Sequence, residues 1–374
     1  MSPLGPPAPQ TLRRALALAA ALRARALRPC NPRAENARCG ASSTATASAG
    51  ARATQDVLVA DNFYPRAEAL RARFDARFGD PKQVSGDRFV WDYWHVPDQY
   101  TLLRTPAADF FGDAEWPALE GALLQYAERE LGCSAMTPVW LSCYVDGCGQ
   151  ELHADVPHGP WAFVYSLTEW DVDRAFVGGE TQLLRPETLD YWRGWFDGGA
   201  ERIAAAGLER DGVVETVEPR FNRLTVFDPR VPHGVREVRG TRDVRKGRLV
   251  LHGWFSAPSP FFEGALAEDD AGLDEVEACL NAALEPLYAS LGDPDMYAPV
   301  VGMLSVRVTI SSEGGTPASV RVLACNLHAH PASEDAALER AAVVDAVLGA
   351  LRSSGPFPAS GTSATRVTLP LSFA

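Results

Sequence analysis

The stretch LHADVP, residues 152–157, places a histidine and a carboxylate two positions apart, at His153 and Asp155. Residues i and i+2 of a strand point to the same face, so this imidazole and this carboxylate can reach one metal ion together. The two residues alone are more typical of a surface pair than of a metal site. His233, in FDPRVPHGVREV, is the best third ligand, because it follows a predicted strand on a turn held by two prolines.

Two histidines and one carboxylate on one side of a metal, with the other positions open, are the ligand set of non-haem Fe(II) oxygenases. The open positions accept a bidentate cosubstrate and O₂. Arg248, in KGRLVLHGWF, begins a predicted apolar strand with no acid nearby in sequence. A buried arginine needs an anionic partner, so Arg248 is the candidate anchor for a cosubstrate carboxylate. Arg242, in the preceding RGTRDVRK segment, is the alternative anchor, in a predicted loop.

This ordered set resembles the 2-oxoglutarate- and Fe(II)-dependent dioxygenases, and the flanking residues narrow the resemblance to the prolyl 4-hydroxylase-like branch. It extends over about residues 56–260. The motifs that carry it are SCYVDGCGQELHAD, FVYSLTEWDVDRAFVGGETQLL, RFNRLTVFDPRVPHGVREV and GRLVLHGWFSAPSP. Val250 departs from the pattern, because relatives commonly carry a small or hydroxyl residue beside the arginine.

The resemblance gives roles to six residues. The catalytic Fe(II) ligands would be His153, Asp155 and His233, and the 2-oxoglutarate-binding residues would be Arg248, Tyr144 and Tyr165. The implied reaction hydroxylates a C–H bond, with a prolyl residue of a peptide or protein as the favoured substrate. O₂ and 2-oxoglutarate give succinate and CO₂, with ascorbate as reductant. A catalytically silent jelly-roll scaffold and a small-molecule oxygenase are the alternatives.

The elements that must position these residues change in kind along the chain. Amphipathic helices are predicted in residues 66–81 and 115–132, and a helical insertion at 186–207. Short strands are predicted at 139–146, 161–168, 180–184, 213–217, 222–227 and 247–255. Helices followed by a long run of strands predict a mainly β, α+β fold, a barrel or jelly roll with helical buttresses. The resemblance makes this a double-stranded β-helix within an oxygenase domain of residues 53–260.

Composition excludes several classes of function. The 374 residues are 46% hydrophobic with a net charge of −13, which is typical of a soluble globular protein of two domains. The negative charge makes nucleic-acid binding improbable, and we find no apolar run of about 18 residues for a membrane span. The seven cysteines are scattered and contain no CxxC pair, so they indicate neither a disulfide framework nor a zinc ribbon.

The first 55 residues hold eight arginines and one acid, Glu35. A basic, Ala/Leu-rich stretch followed by a small-residue tract is the pattern of an organellar transit peptide, which we assign to residues 1–52. A plastid is favoured over a mitochondrion as the destination. A short secretory segment at Ala15–Leu22 and a plain disordered tail are alternatives, and a chain without a transit peptide would be cytoplasmic.

The C-terminal part differs from the rest. Residues 261–298 are acidic and predict a linking helix with an apolar stripe. Residues 299–374 predict a hairpin, a helix and a final strand, a ββαβ order that resembles the C-terminal domain of TonB-type proteins, including the VTLPLSF ending. We find no catalytic constellation there, and we expect an interaction or packing module, with a protein as its candidate partner.

Overall fold

The computed structural model describes residues 57–78, 91–155, 158–185, 214–291, 296–297, 299–329 and 335–373. The predicted transit peptide and the predicted helical insertion at 186–207 lie outside the described residues. Contacts divide the chain into two compact units. One comprises Asp56–Phe261 with Thr368–Pro370, and the other contains Phe262–Val367 and the residues from Leu371 onward.

The first unit is mainly β, as predicted, with helices at its N-terminal side. Its early elements are β1 (Val57–Ala60), α1 (Ala67–Arg77), β2 (Asp92–Val96), β3 (Tyr100–Pro106), α2 (Ala107–Phe111), α3 (Trp116–Tyr126), a π-helical turn (Ala127–Leu131) and β4 (Cys133–Met136). Eight more strands follow: β5 (Trp140–Tyr144), β6 (Gly149–His153), β7 (Trp161–Ser166), β8 (Thr181–Leu184), β9 (Val214–Val217), β10 (Arg223–Phe227), β11 (His233–Val235) and β12 (Arg248–Pro258). A 3₁₀ turn, Val244–Lys246, precedes β12.

The connectivity of β5 to β12 is that of a jelly roll. The sheet order is β1-β10-β7-β12-β5-β3-β6-β11-β8-β9, and the described strand pairs in it are antiparallel. One half of the curled sheet contains β10, β7, β12 and β5, and the other contains β6, β11, β8 and β9. The chain crosses between the halves at almost every connection, so residues distant in sequence face each other across the interior.

Two strands of the jelly roll were not predicted from the sequence. β6 has the sequence GQELH and β11 is only three residues long, so neither shows the apolar alternation that identifies a strand. Both depend on pairing with each other and with neighbouring strands. They carry His153 and His233, so the strand prediction missed the two strands that hold these candidate metal ligands.

The helices form where their apolar spacing predicts. In α1 the residues Ala67, Leu70 and Phe74 are buried. In α3 the buried residues are Leu119 and Leu123, and Gly132 ends the following π-helical turn in the left-handed region at φ 69°. Phe74 of α1 packs against Phe110 of α2, and α3 packs against β4.

The second unit has its own sheet and two helices. Its elements are β13 (Phe261–Glu263), a 3₁₀ turn (Ala265–Ala267), α4 (Asp270–Leu291), β14 (Val300–Ile310), β15 (Ser319–Cys325), β16 (His328–Ala329), α5 (Ala336–Arg352) and β17 (Thr365–Phe373). The strand order is β13-β17-β14-β15, and β16 pairs with β14. Among the described residues, no helix is long and apolar enough to span a membrane.

The helix predicted as an acidic linker is instead a component of this second unit. Val276, Leu280 and Leu284 of α4 are buried, and α4 packs against α5. Burying this apolar stripe removes it from water, whereas an isolated linker helix would leave it exposed.

Leu251, in the centre of β12, is fully buried between β5 and β7. We expect Leu251→Ala to lower the free energy of unfolding by about 2–5 kcal/mol, since it removes three buried carbons and leaves a cavity. Chemical denaturation followed by tryptophan fluorescence measures this. Val59→Ala, on the exposed face of an outer strand where Val59 is 47% accessible, is the control and should change stability by less than about 1 kcal/mol. An equal loss in both variants would contradict the assigned core.

Candidate functional site

His153, Asp155 and His233 come together at one end of the jelly roll. The antiparallel pairing of β6 with β11 sets His153 directly opposite His233, with ring centroids 4.6 Å apart. Asp155 follows β6, and its backbone N–H donates to the Pro229 carbonyl at 2.8 Å, which fixes it beside the turn before β11. One ligand atom from each side chain lies within 4.8 Å of the others. This is the only such cluster of three among the described residues.

The two imidazoles are oriented by backbone carbonyls. His153 Nδ1 lies 2.8 Å from the Glu151 carbonyl, and His233 Nδ1 lies 2.9 Å from the Val231 carbonyl. A carbonyl only accepts hydrogen bonds, so each Nδ1 carries a proton, and each Nε2 is the ring atom left to face a metal. Both Nε2 atoms point at Asp155, at 3.7 Å from Oδ1 for His153 and 3.3 Å from Oδ2 for His233. Metal-binding histidines commonly have this arrangement.

The charge at this site favours a cation. Burial raises the pKa of Asp155, but the hydrogen bond and charge interactions with His233, and the attraction of His153 and His158, outweigh it and hold that pKa below the usual range. Asp155 is therefore ionised at neutral pH. Two lone pairs and one carboxylate that converge in a half-buried position are stabilised by a positive ion between them.

The three residues line a cavity of about 360 Å³ inside the jelly roll. Residues of both halves of the sheet form its wall, including Tyr144, Arg248 and His252 on one side and His153 and His233 on the other. The volume is within the usual range for small-molecule sites, which is about 300–1,000 Å³.

Arg248 lies in this cavity and is 1% exposed. Its Nη2 donates to Thr181 Oγ1 at 3.2 Å, and the guanidinium carbon lies 4.6 Å from the centre of the Tyr144 ring. Its Nε and Nη1 atoms are buried without a hydrogen-bond partner. Burial lowers the pKa of Arg248, and no carboxylate among the described residues forms an ion pair with it. A guanidinium in this state has donors available for an anion.

Tyr144 lies where the sequence placed it. It lines the cavity, is 2% exposed, and donates from its hydroxyl to Gln150 Oε1 at 3.2 Å. Burial raises the pKa of Tyr144, so the hydroxyl stays protonated at neutral pH.

Tyr165 does not line the cavity, contrary to the prediction. Alternation along β7 turns Val164 toward the cavity, so the next residue, Tyr165, faces the opposite side of the sheet. There its hydroxyl donates to Asn222 Oδ1 at 3.0 Å, and its ring makes an edge contact with Phe63. The error came from choosing a tyrosine on the correct strand without fixing which face it occupies.

Arg242, the alternative anchor, lies on the surface. Its side chain is 90% exposed, and its nearest acid is Asp146, at 3.8 Å. It is absent from the cavity wall, so the geometry favours Arg248 as the anchor.

Several cavity residues were not identified from the sequence. Thr181 supplies the hydroxyl on Arg248, and Gln150 holds Tyr144. The β2–β3 hairpin adds Trp94 and Arg104. The sequence signal for this hairpin was a spacing of two residues, between Trp94 and Val96 and between Leu102 and Arg104, which indicates a shared strand face. Only the tertiary structure shows that this hairpin face is turned inward.

Comparison with known proteins assigns the central part of the chain. Residues 139–256 match a family described as the 2OG-Fe(II) oxygenase superfamily. This segment contains β5 to β11, most of β12 and all three members of the His-Asp-His cluster. The match does not extend to the second unit, so the resemblance to a TonB C-terminal domain stays a prediction. No curated protein matches the sequence.

Similar solved structures include two prolyl hydroxylases and HygX. A prolyl hydroxylase from Trichoplax adhaerens, in complex with a hypoxia inducible factor peptide fragment, is 16% identical, with a TM-score of 0.37, and the match covers 54% of this chain and 84% of that chain. A Pseudomonas putida prolyl-4-hydroxylase is 20% identical, with a TM-score of 0.35, and covers 55% and 94%. HygX from Streptomyces hygroscopicus, with nickel and 2-oxoglutarate bound, is 13% identical, with a TM-score of 0.34, and covers 54% and 82%. Since all three TM-scores are below 0.5, the domain assignment rests on the family match and the strand connectivity.

His252 also lines the cavity, and its Nε2 lies 2.8 Å from Ser142 Oγ. Burial, followed by repulsion from Arg248 and Arg104, lowers the pKa of His252 to about 4. In the unfolded chain the histidine pKa is about 6.5, so as the pH falls the unfolded state is protonated before the folded state. Stability is therefore lost as the pH falls from about 6.5 to about 4. We expect a loss of about 1–3 kcal/mol, since the side chain is not fully closed off from the cavity.

A histidine-selective NMR titration of the metal-free protein tests this assignment, with His252→Gln identifying the resonance. The imidazole should still be neutral at pH 5.5. Urea unfolding at pH 7 and pH 5 should show a larger loss of stability in the wild type than in His252→Gln. A midpoint near pH 6.5 would show that the ring is solvated and not held neutral.

Proposed function

We propose, from the premise that the chain carries a 2OG-Fe(II) oxygenase domain and is a dioxygenase, that it hydroxylates a C–H bond of a prolyl residue in a peptide. Fe(II), 2-oxoglutarate and O₂ would be required, succinate and CO₂ would be the coproducts, and ascorbate would keep the metal reduced. The observation that carries the proposal is the convergence of two oriented histidine Nε2 atoms on Asp155, in the same cavity as an Arg248 that has no carboxylate partner among the described residues.

His153, Asp155 and His233 fit Fe(II). Each supplies one atom on a common side, and the hydrogen bonds to the Glu151 and Val231 carbonyls fix the imidazole planes before a metal binds. Nitrogen and carboxylate donors on one side suit a ferrous ion whose other positions stay open. When bound, the iron with 2-oxoglutarate and O₂ supplies the oxidising chemistry, and the protein supplies geometry and a cavity with restricted access to water.

Arg248 fits the distal carboxylate of 2-oxoglutarate. Two of its nitrogens lack partners, so an anion would restore hydrogen bonds that burial removes. Thr181 holds the guanidinium on one side, and Tyr144 lies against it. The neutral Tyr144 hydroxyl is the next donor along the same wall. Val250, which lies two residues further along the strand, adds an apolar surface in place of a hydroxyl.

The choice of a prolyl peptide as the substrate rests on the sequence resemblance to the prolyl 4-hydroxylase-like branch. A small-molecule oxygenase would use the same metal and anchor. A silent scaffold would have no use for an ionised acid and an unpaired arginine in one cavity, since both are costly to bury. Turnover therefore separates the scaffold from both enzymes, and the hydroxylated product separates the enzymes from each other.

Removal of a ligand should abolish metal binding without unfolding the protein. We expect His153→Ala and His233→Ala to reduce Fe(II) affinity by more than about 100-fold and to stop succinate formation from 2-oxoglutarate, because two ligands do not hold the ion. Mn(II) titration by electron paramagnetic resonance measures binding, and circular dichroism checks the fold. His95→Ala, outside the cavity wall, is the control. Undiminished metal binding in both ligand variants would exclude the assigned triad.

The assignment of Arg248 as the 2-oxoglutarate anchor can be tested by comparing it with Arg242. Arg248→Ala should raise the dissociation constant for 2-oxoglutarate by about 100-fold, since a charge-assisted bidentate contact contributes roughly 1.5–3 kcal/mol per hydrogen bond. Arg242→Ala removes the same charge from the surface and should change that constant by less than about twofold. Isothermal titration with Mn(II)-loaded protein gives both values. The reverse order would move the anchor to the loop before β12.

A further inference from the structure

The proposed function leaves a second cavity arginine without a role. Arg104, on β3, lines the same cavity as Arg248. Its guanidinium carbon lies 3.3 Å from the centre of the Trp94 ring and 4.0 Å from that of the Trp140 ring. This is a cation–π arrangement with two indoles.

The sheet register produces this arrangement. β2 pairs with one edge of β3, where Trp94 lies opposite Leu102, the residue two before Arg104. β5 pairs with the other edge, where Trp140 lies opposite Pro106, the residue two after Arg104. Residues two apart in a strand share a face, so the two indoles flank the guanidinium from neighbouring strands. The rings therefore hold the side chain in one orientation.

Among the described residues, no acid forms an ion pair with Arg104. No hydrogen bond or ion pair joins its guanidinium to any described residue, and its Nε is shielded from solvent without an acceptor. Burial lowers the pKa of Arg104, and the attraction of Asp92, across the hairpin, opposes this shift without forming an ion pair. Stacking occupies the faces of the planar group and leaves its in-plane N–H donors, which suit the two oxygens of a carboxylate.

We propose that Arg104, clamped between Trp94 and Trp140, binds a carboxylate of the primary substrate, so that the enzyme selects peptides with an aspartate or glutamate near the hydroxylated residue. The inference rests on the proposed function and deepens it. Arg248 holds the cosubstrate, and Arg104 is the separate cation on the part of the wall formed by the hairpin. The chain has a net charge of −13, so its overall field disfavours acidic peptides. Acid selection would therefore have to come from the cavity.

Affinity selection tests this on the full chain. The protein, loaded with Mn(II) and 2-oxoglutarate to prevent turnover, is incubated with a proline-centred peptide library that carries Asp, Asn, Glu, Gln, Lys or Ala at the flanking positions. Mass spectrometry compares retained peptides with the input. At one flanking position the wild type should enrich the acid over its amide by roughly tenfold, which is about 1.4 kcal/mol. Arg104→Gln should lose this preference, and Arg104→Lys should keep part of it.

Two controls separate recognition from structure. Arg242→Gln removes one surface charge and should keep the acid preference. Arg104→Gln should bind 2-oxoglutarate within about twofold of the wild type, since a substrate contact does not carry the cosubstrate. N-acetylproline and N-acetylprolinamide serve as competitors. Competition by the acid alone, without peptide selection, would support carboxylate binding with a small molecule as its source.

Each remaining outcome overturns the inference. Equal retention of acids and amides by the wild type, or an acid preference that persists in Arg104→Gln, would leave Arg104 as a stacking residue only. Loss of 2-oxoglutarate binding in Arg104→Gln would place it in the cosubstrate site. If the wild type itself fails to bind 2-oxoglutarate, the proposed function fails as well. Binding of 2-oxoglutarate is therefore measured first, before any peptide is added.

Discussion

The site depends on the pairing of β6 with β11. These short strands place His153 opposite His233, although 80 positions separate them in the sequence. Neither strand has the apolar pattern to form alone, so the geometry of the candidate metal ligands is a consequence of the whole curled sheet. The neighbouring strands fix β11, the Pro229 carbonyl fixes Asp155, and each imidazole is oriented by a carbonyl two residues upstream. Chemistry that requires three atoms within a few ångströms thus rests on long-range hydrogen bonds.

The interior of the jelly roll is unusual in the charges it buries. Arg248 is almost fully buried with one side-chain acceptor, whereas Arg104 is half-buried and stacked between two indoles, with no ion pair to a described acid. Arg248 in particular is costly to fold unless an anion binds. Asp155, in contrast, is stabilised as an anion by two histidines. The cavity therefore has one place for a cation and two for anions, which matches a metal, a cosubstrate carboxylate and, in our proposal, a substrate carboxylate.

The second unit follows a different logic. Its core consists of apolar residues of α4, α5 and the strands β14, β15 and β17, and no group of three potential metal ligands occurs in its described part. The acidic composition around α4 suggested a linker, although its apolar stripe was recognised. The amphipathic pattern of α4 was recognised in the sequence. The helix that covers its apolar face, α5, lies far along the chain, so no local pattern could predict that contact.

The sequence by itself supplied the candidate chemistry. The residue types and order of His153, Asp155, His233 and Arg248 indicated a metal with open positions and an anionic cosubstrate, because few side chains can bind iron or pair with a carboxylate. The strands with strong apolar patterns, such as β7, β10 and β12, were also predicted. Only the tertiary structure decided which face each residue occupies. Tyr165 lies on the face of β7 that points away from the cavity, and Arg104 lies in the cavity wall. Facing depends on which strands pair and how the sheet curls, and those contacts join residues too distant in sequence for any local pattern to specify.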